Sequence, residues 1–175
     1  RMAERVLAAV VPVLGCGSTA SNSDTRPLAG GDLAGAPDLA SYAASPEVRA
    51  GMEGVPPQTL SRLLEAYGSD ALEVVHCAGE PEALAPLAPG VPLSVAEVRH
   101  AARREMVCTV TDVLERRSRL ALFATEEARA AAPAVARILA DELHWTDARR
   151  DAEIARFEHQ ADARLGWRRR GQESD

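Results

Sequence analysis

The chain has 175 residues, a length that suits one domain, or one domain together with part of another. Its formal net charge of −6 argues against a nucleic-acid partner, because binding to phosphates requires a basic surface. Hydrophobic residues make up 46% of the chain but aromatic residues only 3%. Alanine and leucine carry much of the apolar content, and both favour helices that pack on helices. The composition therefore predicts an all-α fold.

Cysteine spacing and apolar runs also limit the class of protein. Cys16, Cys77 and Cys108 are far apart and form no CxxC pair, so neither a zinc site nor a disulfide framework is predicted. We expect buried, reduced thiols in a cytoplasmic protein. The apolar run 6–14 is too short to cross a bilayer and lacks the cleavage context of a signal peptide. Because the chain opens on Arg1 and its helical pattern begins at once, we expect a piece of a longer protein.

The first third of the chain predicts a helix, a long connection and then several short helices. Residues 2–14 read as a helix or a helix running into a strand, and residues 15–37 are rich in Gly, Ser and Pro. So long a connection is uncommon inside a compact domain, so we place a domain boundary at residue 37. Residues 57–67 predict a helix that begins with proline and ends before glycine. Shorter helices are predicted at 38–42, 47–52 and 70–77, the last opened by a capping box of Asp70 and Glu73.

Residues 94–122 predict two consecutive amphipathic helices. Ser94 and Glu97 form a capping box at the first start, and Thr109 with Asp112 marks the second. The predicted apolar face of the first helix consists of Val95, Val98, Ala102 and Met106.

The remaining segments complete a helical domain at 38–166. Residues 79–93 contain four prolines and predict a loop with at most one helical turn. Thr125 and Thr146 are predicted to cap two further helices. Pro133 is predicted either to kink the first of them or to begin a new helix. Gly166 is predicted to end the last helix before a frayed tail at 167–175. The residues predicted to face the core are Val135, Ile138, Leu139, Leu143, Ile154, Phe157, Ala161 and Leu165. The result is a bundle of about five to seven helices.

Two short motifs resemble binding sites but lack the necessary context. Residues 15–20 match the G-x-G-x-x-G/A dinucleotide fingerprint, yet no helix or βαβ unit is predicted after them. The helix–Gly68–helix segment at 57–77 resembles a helix-turn-helix, but its second helix carries acids and no arginine to reach base edges. We therefore predict neither a nucleotide site nor a DNA reader at these positions.

The sequence offers no clear metal or catalytic site. Asp141 and His144 are three residues apart, and His76 lies beside Cys77, but a di-metal bundle needs carboxylates from further helices. We interpret the four histidines as surface or cap residues: His76, His100, His144 and His159. A nucleophile elbow of the G-x-S-x-G type is also missing from the sequence.

Arg116 and Arg117 are the one pair of side chains with a predicted binding role. They could clamp an anion or form interdomain salt bridges. Asp112 and Glu115 on the same helix favour a solvated or bridging face, since exposed ion pairs are weak. We predict them as candidate interdomain contacts, with no catalytic, cofactor or metal residue in the chain.

With these residues in view, the chain resembles the C-terminal region of aerobic, FAD-dependent glycerol-3-phosphate dehydrogenases. The resemblance covers roughly residues 1–165, with Ala29 where the family's connector usually has proline. It rests on five segments in order: RMAERVLAAVVPVL, TRPLAGGDL, LLEAYGSDALEVV, AEVRHAARREMVCTVTDVLERRSRLAL and ARILADELHWTDARRDAEIARF. The first resembles the last helix of the flavoprotein domain, so residues 1–37 are expected to be its tail end and connector.

The resemblance implies a definite function for the complete enzyme. Such enzymes oxidise sn-glycerol 3-phosphate to dihydroxyacetone phosphate by hydride transfer to FAD and pass electrons to membrane quinone. They lie as peripheral proteins on the cytoplasmic face of the membrane, often as dimers. FAD and the substrate-binding residues belong to the preceding domain, so this chain is expected to hold no cofactor and to be inactive alone. Its implied role is an all-α cap that docks on that domain.

The alternative is a stand-alone helical module that binds a protein partner through residues 94–122. It predicts a start codon at Met2, whereas the first hypothesis predicts a long open frame upstream.

Overall fold

The computed structural model describes residues 2–15, 17 and 22–172, with side chains described as far as Arg164. This part of the chain is mostly helical, which confirms the predicted all-α class, although a small two-stranded sheet is also present. Its α-helices are α1 (Met2–Val10), α2 (Leu39–Ala43), α3 (Pro46–Gly51), α4 (Pro57–Tyr67), α5 (Ala71–His76), α6 (Val95–Arg104), α7 (Leu120–Phe123), α8 (Thr125–Leu143) and α9 (Asp147–Gln172). A π-helical segment spans Asp112–Arg117, and 3₁₀ turns span Gly68–Asp70 and Pro81–Leu84.

Helix α6 lies between two hydrophobic clusters. The first cluster joins one side of α6, through Val98 and Ala101, to α7, α8 and α9. The second joins the other side, through Ala96, to α2–α5. Between these apolar positions α6 buries two polar side chains, Glu97 at 1% exposure and His100 at 4%. The central helix therefore places the charged side chain of Glu97 in the interior, between the two hydrophobic clusters.

The segment predicted as a loop at 79–93 also forms a β-hairpin. Strands β1 (Pro86–Ala88) and β2 (Val91–Ser94) pair antiparallel around a turn at Gly90, whose φ is 77°. Val91 and Leu93 are buried while Pro92 between them is exposed. This two-residue alternation favours a strand, and the density of prolines obscured it.

For each of the two helices predicted at 94–122, the structure differs from the prediction in the second half of the helix. Helix α6 ends at Arg104, and Met106, predicted on its apolar face, adopts a left-handed φ of 57° and is 88% exposed. The following helical segment begins as predicted, with the Thr109 hydroxyl accepting from the Asp112 N–H at 3.1 Å. It is interrupted at Arg119, also left-handed, before the short helix α7.

Besides the Thr109 cap, two of the predicted helix caps are confirmed and two are wrong. The Ser94–Glu97 capping box is complete, and the Thr146 hydroxyl accepts from the Arg149 N–H at 3.2 Å. Asp70 makes no capping hydrogen bond because a 3₁₀ turn precedes α5 and leaves Asp70 in a helical conformation. The Thr125 hydroxyl instead donates to the Ala121 carbonyl at 3.1 Å, inside a helix capped by Ala124.

The long C-terminal helices provide much of the first cluster, as predicted. Helix α8 continues through Pro133 and buries Val135, Ile138 and Leu139, while Leu143 is partly buried. In α9, Phe157 and Ala161 are fully buried and Ile154 is partly buried. Helix α9 runs to Gln172 instead of ending at Gly166. The Leu165 side chain lies outside the described residues, and the frayed tail stays a prediction.

Helix α1 and the connector differ in how they contact the rest of the chain. None of the residues of α1 is buried. The connector, which is the long connection predicted at 15–37, packs on the second cluster through Leu33 and Ala36. The Gly30 carbonyl accepts a hydrogen bond from the Ser69 N–H at 3.0 Å. In the described part of the chain, no helix is long and apolar enough to cross a membrane.

Candidate functional site

A buried ion pair fixes the base of the candidate site. Glu97 on α6 is 1% exposed, and its Oε2 accepts from the backbone N–H and the hydroxyl of Ser94, both at 2.9 Å. Its other carboxylate oxygen, Oε1, pairs with the guanidinium of Arg62 on α4. Burial lowers the pKa of Arg62 from its usual value. The pair therefore joins the two helices at a position shielded from water.

A cavity of about 200 Å³ opens beside this pair. Its walls come from α4, the end of α6 and the π-helical segment. The charged residues that line it are Arg62, Glu97, Glu105, Arg116, Arg117 and Arg119, with Tyr67 alongside. Four guanidinium groups and two carboxylates give the cavity a net positive charge on a chain whose formal charge is −6. Such a mouth suits contact with an acidic group.

The two arginines predicted as interdomain contacts lie together at the rim. Arg116 is 67% exposed and pairs with Asp112, while Arg117 is 47% exposed and donates to the Glu105 carbonyl at 2.6 Å. Burial raises the pKa of Asp112, but hydrogen bonds from the Cys108 N–H, the Thr109 hydroxyl and Arg116 outweigh it and lower that pKa. Both arginines are thus held by their own domain and still present charge to solvent. No structural contact tests their interdomain role, which stays a prediction.

Two residues beside the rim adopt left-handed backbone conformations that non-glycine residues rarely use. The φ angles are 57° at Met106 and 58° at Arg119, on either side of the π-helical segment. Each such residue costs on the order of 1 kcal/mol and persists only where surrounding contacts hold it. Short π-helical stretches are themselves rare and are frequent at functional sites. The π-helical segment between these two residues is therefore the candidate site.

An aromatic pair lies behind the cavity. The rings of Tyr67 and His100 meet edge to face, with centroids 5.4 Å apart. Burial and the nearby Glu105 carboxylate raise the pKa of Tyr67 to about 12. His100, predicted as a surface or cap residue, is instead buried, because it lies on the inner side of α6. The prediction is confirmed at the other three positions: His76 and His159 are exposed and His144 caps α8.

The described residues offer little support for metal or nucleotide chemistry. Within them, no group of three or more His, Cys, Asp or Glu side chains is placed to hold a metal ion. The two described strands are antiparallel, whereas a dinucleotide site is built on parallel βαβ units, so these residues do not fit FAD. Most of the fingerprint-like residues at 15–20, Cys16 among them, lie outside the described part. The prediction of buried cysteines is wrong at Cys108, which is exposed, and Cys77 is only half-buried.

The rim of the site is predictable from the sequence, but its base is not. Arg116 and Arg117 were identified by their adjacency, and Glu97 only as a helix cap. Neither Arg62 nor the burial of Glu97 was predicted, because their pairing depends on how α4 crosses α6. Arg62 directly precedes the buried Leu63 and Leu64 of α4, and that proximity to the buried face was the one available signal.

Known proteins resemble this chain over most of its length. A family model described as the C-terminal domain of alpha-glycerophosphate oxidase matches residues 21–150. A probable mitochondrial glycerol-3-phosphate dehydrogenase from Dictyostelium discoideum is 31% identical over 100 residues, which are 57% of this chain and 16% of that protein. A glycerol-3-phosphate dehydrogenase from Mycobacterium leprae (strain TN) is 33% identical over 119 residues, 66% of this chain and 20% of its own length.

A further relative shows the same pattern over a shorter stretch. A probable mitochondrial glycerol-3-phosphate dehydrogenase from Caenorhabditis elegans is 39% identical over 80 residues, 46% of this chain and 11% of that protein. The matches thus cover about a fifth or less of each relative. No solved structure matches the chain. Because the family model covers well over half of the sequence and confirms the resemblance, the chain belongs to the family of C-terminal domains of alpha-glycerophosphate oxidases and glycerol-3-phosphate dehydrogenases.

Proposed function

We propose that this chain is the C-terminal helical domain of an FAD-dependent glycerol-3-phosphate dehydrogenase and that its role is to dock on the preceding flavoprotein domain. The match of the family model to residues 21–150 carries the proposal, supported by the relatives' names. In the full-length enzyme, FAD held by the preceding domain would supply the redox chemistry that converts glycerol 3-phosphate to dihydroxyacetone phosphate, with a quinone as the final electron acceptor.

The residues of this chain would contribute docking and no catalysis. The rim arginines Arg116 and Arg117 support a docking role. Each keeps a substantial fraction of its side chain exposed at the mouth of a positively charged cavity. The FAD site itself is assigned to the preceding domain. In this proposal the full-length protein forms homodimers and lies peripherally on the inner face of the cell membrane.

The first test is the reading frame that contains this chain. A long upstream frame with a strand–GxGxxG–helix near its start is expected, whereas a stop codon directly before Met2 would contradict the proposal. The full-length product should retain a flavin absorption spectrum after gel filtration and should reduce a quinone analogue when glycerol 3-phosphate is added. Oxygen consumption without quinone would identify an oxidase. Flavin retained by residues 1–175 alone would contradict the claim that this fragment is inactive.

Charge reversal tests the docking role of the rim arginines. Arg116→Glu combined with Arg117→Glu should lower the thermal stability and activity of the full-length enzyme. Arg137→Glu is the matched control, because Arg137 is exposed on α8 and does not line the cavity. Unchanged stability and activity in the double variant would refute the interdomain role.

A further inference from the structure

Four guanidinium groups from two parts of the fold line the cavity beside the buried ion pair. Arg62 reaches it from α4. The other three, Arg116, Arg117 and Arg119, belong to the end of the π-helical segment and the turn that follows it. We call this space of about 200 Å³ the arginine cavity. One water needs only roughly 15 Å³, so the arginine cavity has room for a group of several atoms.

The walls of the arginine cavity carry more hydrogen-bond donors than the protein itself uses. Each guanidinium has five N–H donors and no acceptor. Arg116 donates to Asp112, and Arg117 donates to the Glu105 carbonyl at 2.6 Å. The Arg119 side chain forms no ion pair or hydrogen bond with the described residues. The surplus of donors is complementary to a ligand that is rich in acceptor oxygens.

The lack of an ion pair would not by itself distinguish Arg119. Arg49 and Arg137 also lack an ion pair among the described residues, but both are exposed and neither lines the arginine cavity. Arg119 differs because it shares one space with three further guanidinium groups. Its backbone is also left-handed, with a φ of 58°, a strained conformation of the kind found at ligand clamps.

The charge of the arginine cavity is positive even when its ion pairs are counted. The two carboxylates in its wall each lie against one guanidinium, that of Arg62 or that of Arg117. Arg116 pairs with Asp112, but its side chain is 67% exposed, and exposed pairs are weak. The charge of Arg119 therefore remains unbalanced. An entering anion can also draw Arg116 away from Asp112, which would leave a second positive charge for the anion.

We propose that the arginine cavity binds a phosphate group, either as inorganic phosphate or as part of a small phosphate monoester. Arginine binds oxyanions through paired N–H donors. A tetrahedral phosphate directs its oxygens to several sides, so guanidinium groups on different walls can share it. A carboxylate has two oxygens in one plane and is satisfied by a single guanidinium. The inference goes beyond the proposed docking role, which names only Arg116 and Arg117, and does not depend on it.

Chemical modification of arginines in the full-length protein tests this site. Phenylglyoxal reacts with guanidinium groups, and peptide mass spectrometry gives the rate at each arginine. Arg119 should react severalfold more slowly in inorganic phosphate than in sodium chloride of the same ionic strength. Arg137 is the internal control and should react equally in both, because it is exposed on α8. A second series with glycerol 2-phosphate distinguishes the sources: protection at lower concentration than with inorganic phosphate identifies a monoester as the ligand, and protection at higher concentration identifies phosphate itself.

Two variants should change the affinity for phosphate in opposite directions. Asp112→Asn removes the acid that competes for Arg116 and keeps a side-chain oxygen for the hydrogen bond that Asp112 accepts. Half-protection of Arg119 should then require severalfold less phosphate, whereas Arg116→Gln should require severalfold more. Glu142→Gln is the matched control, because it removes an acid that does not line the cavity and should leave the requirement unchanged. Circular dichroism verifies that each variant is folded.

Several outcomes would overturn the inference. One is equal modification of Arg119 in phosphate and in chloride. Another is modification of Arg119 that is slow in both salts relative to Arg137, which indicates that a carboxylate of the protein already fills the cavity. Equal protection by sodium acetate would show a response to any anion and would also contradict a phosphate site. A phosphate requirement that does not fall in Asp112→Asn would contradict the assigned role of Arg116.

Discussion

The guanidinium of Arg62 on α4 and the carboxylate of Glu97 on α6 form an ion pair in which the Glu97 side chain is 1% exposed and that of Arg62 is 27% exposed. The same carboxylate caps α6 through the Ser94 N–H. One acidic side chain thus orders the start of the central helix and joins it to α4. Since α6 packs on both hydrophobic clusters, this pair also ties the two clusters together.

Removal of Arg62 should therefore destabilise the chain. Arg62→Ala leaves a buried carboxylate without its partner, and breaking a buried pair in this way costs about 3 kcal/mol, less where water can reach the site. We expect a loss of about 2 kcal/mol in the free energy of unfolding, measured by urea titration. Arg49→Ala is the control, because Arg49 is exposed and should change stability by less than about 0.5 kcal/mol. Equal effects of the two variants would contradict a structural role for the pair.

The connector should be sensitive to substitution at Gly68. A Cβ atom added there would lie 2.0 Å from the Gly30 carbonyl oxygen, and the backbone of Gly68 has a φ of 55°. Gly68→Ala should therefore displace the connector as well as strain the turn, at a cost above about 1 kcal/mol. Protease cleavage within residues 22–33 should become faster.

Gly54→Ala provides the matched control for this experiment. Gly54 has a φ of 80°, but an added Cβ atom would meet open space. Its cost should be limited to backbone strain, about 1 kcal/mol, with no change in cleavage of the connector. If both variants behave alike, the contact between Gly30 and Gly68 does not hold the connector in place.

Local patterns predicted the regular parts of the fold well, and long-range packing explains what they missed. The spacing of apolar residues in α8 identified Val135, Ile138 and Leu139 as core residues, and the chain buries all three. The same rule failed at Met106, because helix α6 ends first and the backbone turns left-handed. A periodic pattern records which residues would share a face, but it does not record where the helix stops.

In the candidate site, too, local sequence features were predictable and features of the tertiary structure were not. Arg116 and Arg117 stood out as adjacent charges, and the structure places both at the rim of one cavity. Arg119 lines the same cavity, but neither this position nor its left-handed backbone conformation was predicted. Such features depend on the tertiary structure, since no propensity of arginine favours a left-handed φ.

The strain at Arg119 can be measured by comparing two substitutions there. Arg119→Gly and Arg119→Ala both remove the guanidinium, but only glycine adopts a φ of 58° without steric cost. The glycine variant should be more stable than the alanine variant by about 1 kcal/mol in urea unfolding. An alanine variant as stable as the glycine variant would show that the position carries no strain.

Alkaline pH should destabilise the chain through Tyr67. Burial and the Glu105 carboxylate raise the pKa of Tyr67 to about 12, above the unfolded value near 10. Between these values the unfolded chain releases the phenolic proton while the folded chain keeps it, so the free energy of unfolding falls as pH rises. The full stabilisation is present below about pH 10, and a loss on the order of 2 kcal/mol is expected between pH 10 and 12. Tyr67→Phe should lose less stability than the wild type over this interval. Tyrosinate absorbance that develops near pH 10 at Tyr67 in the folded chain would contradict the prediction.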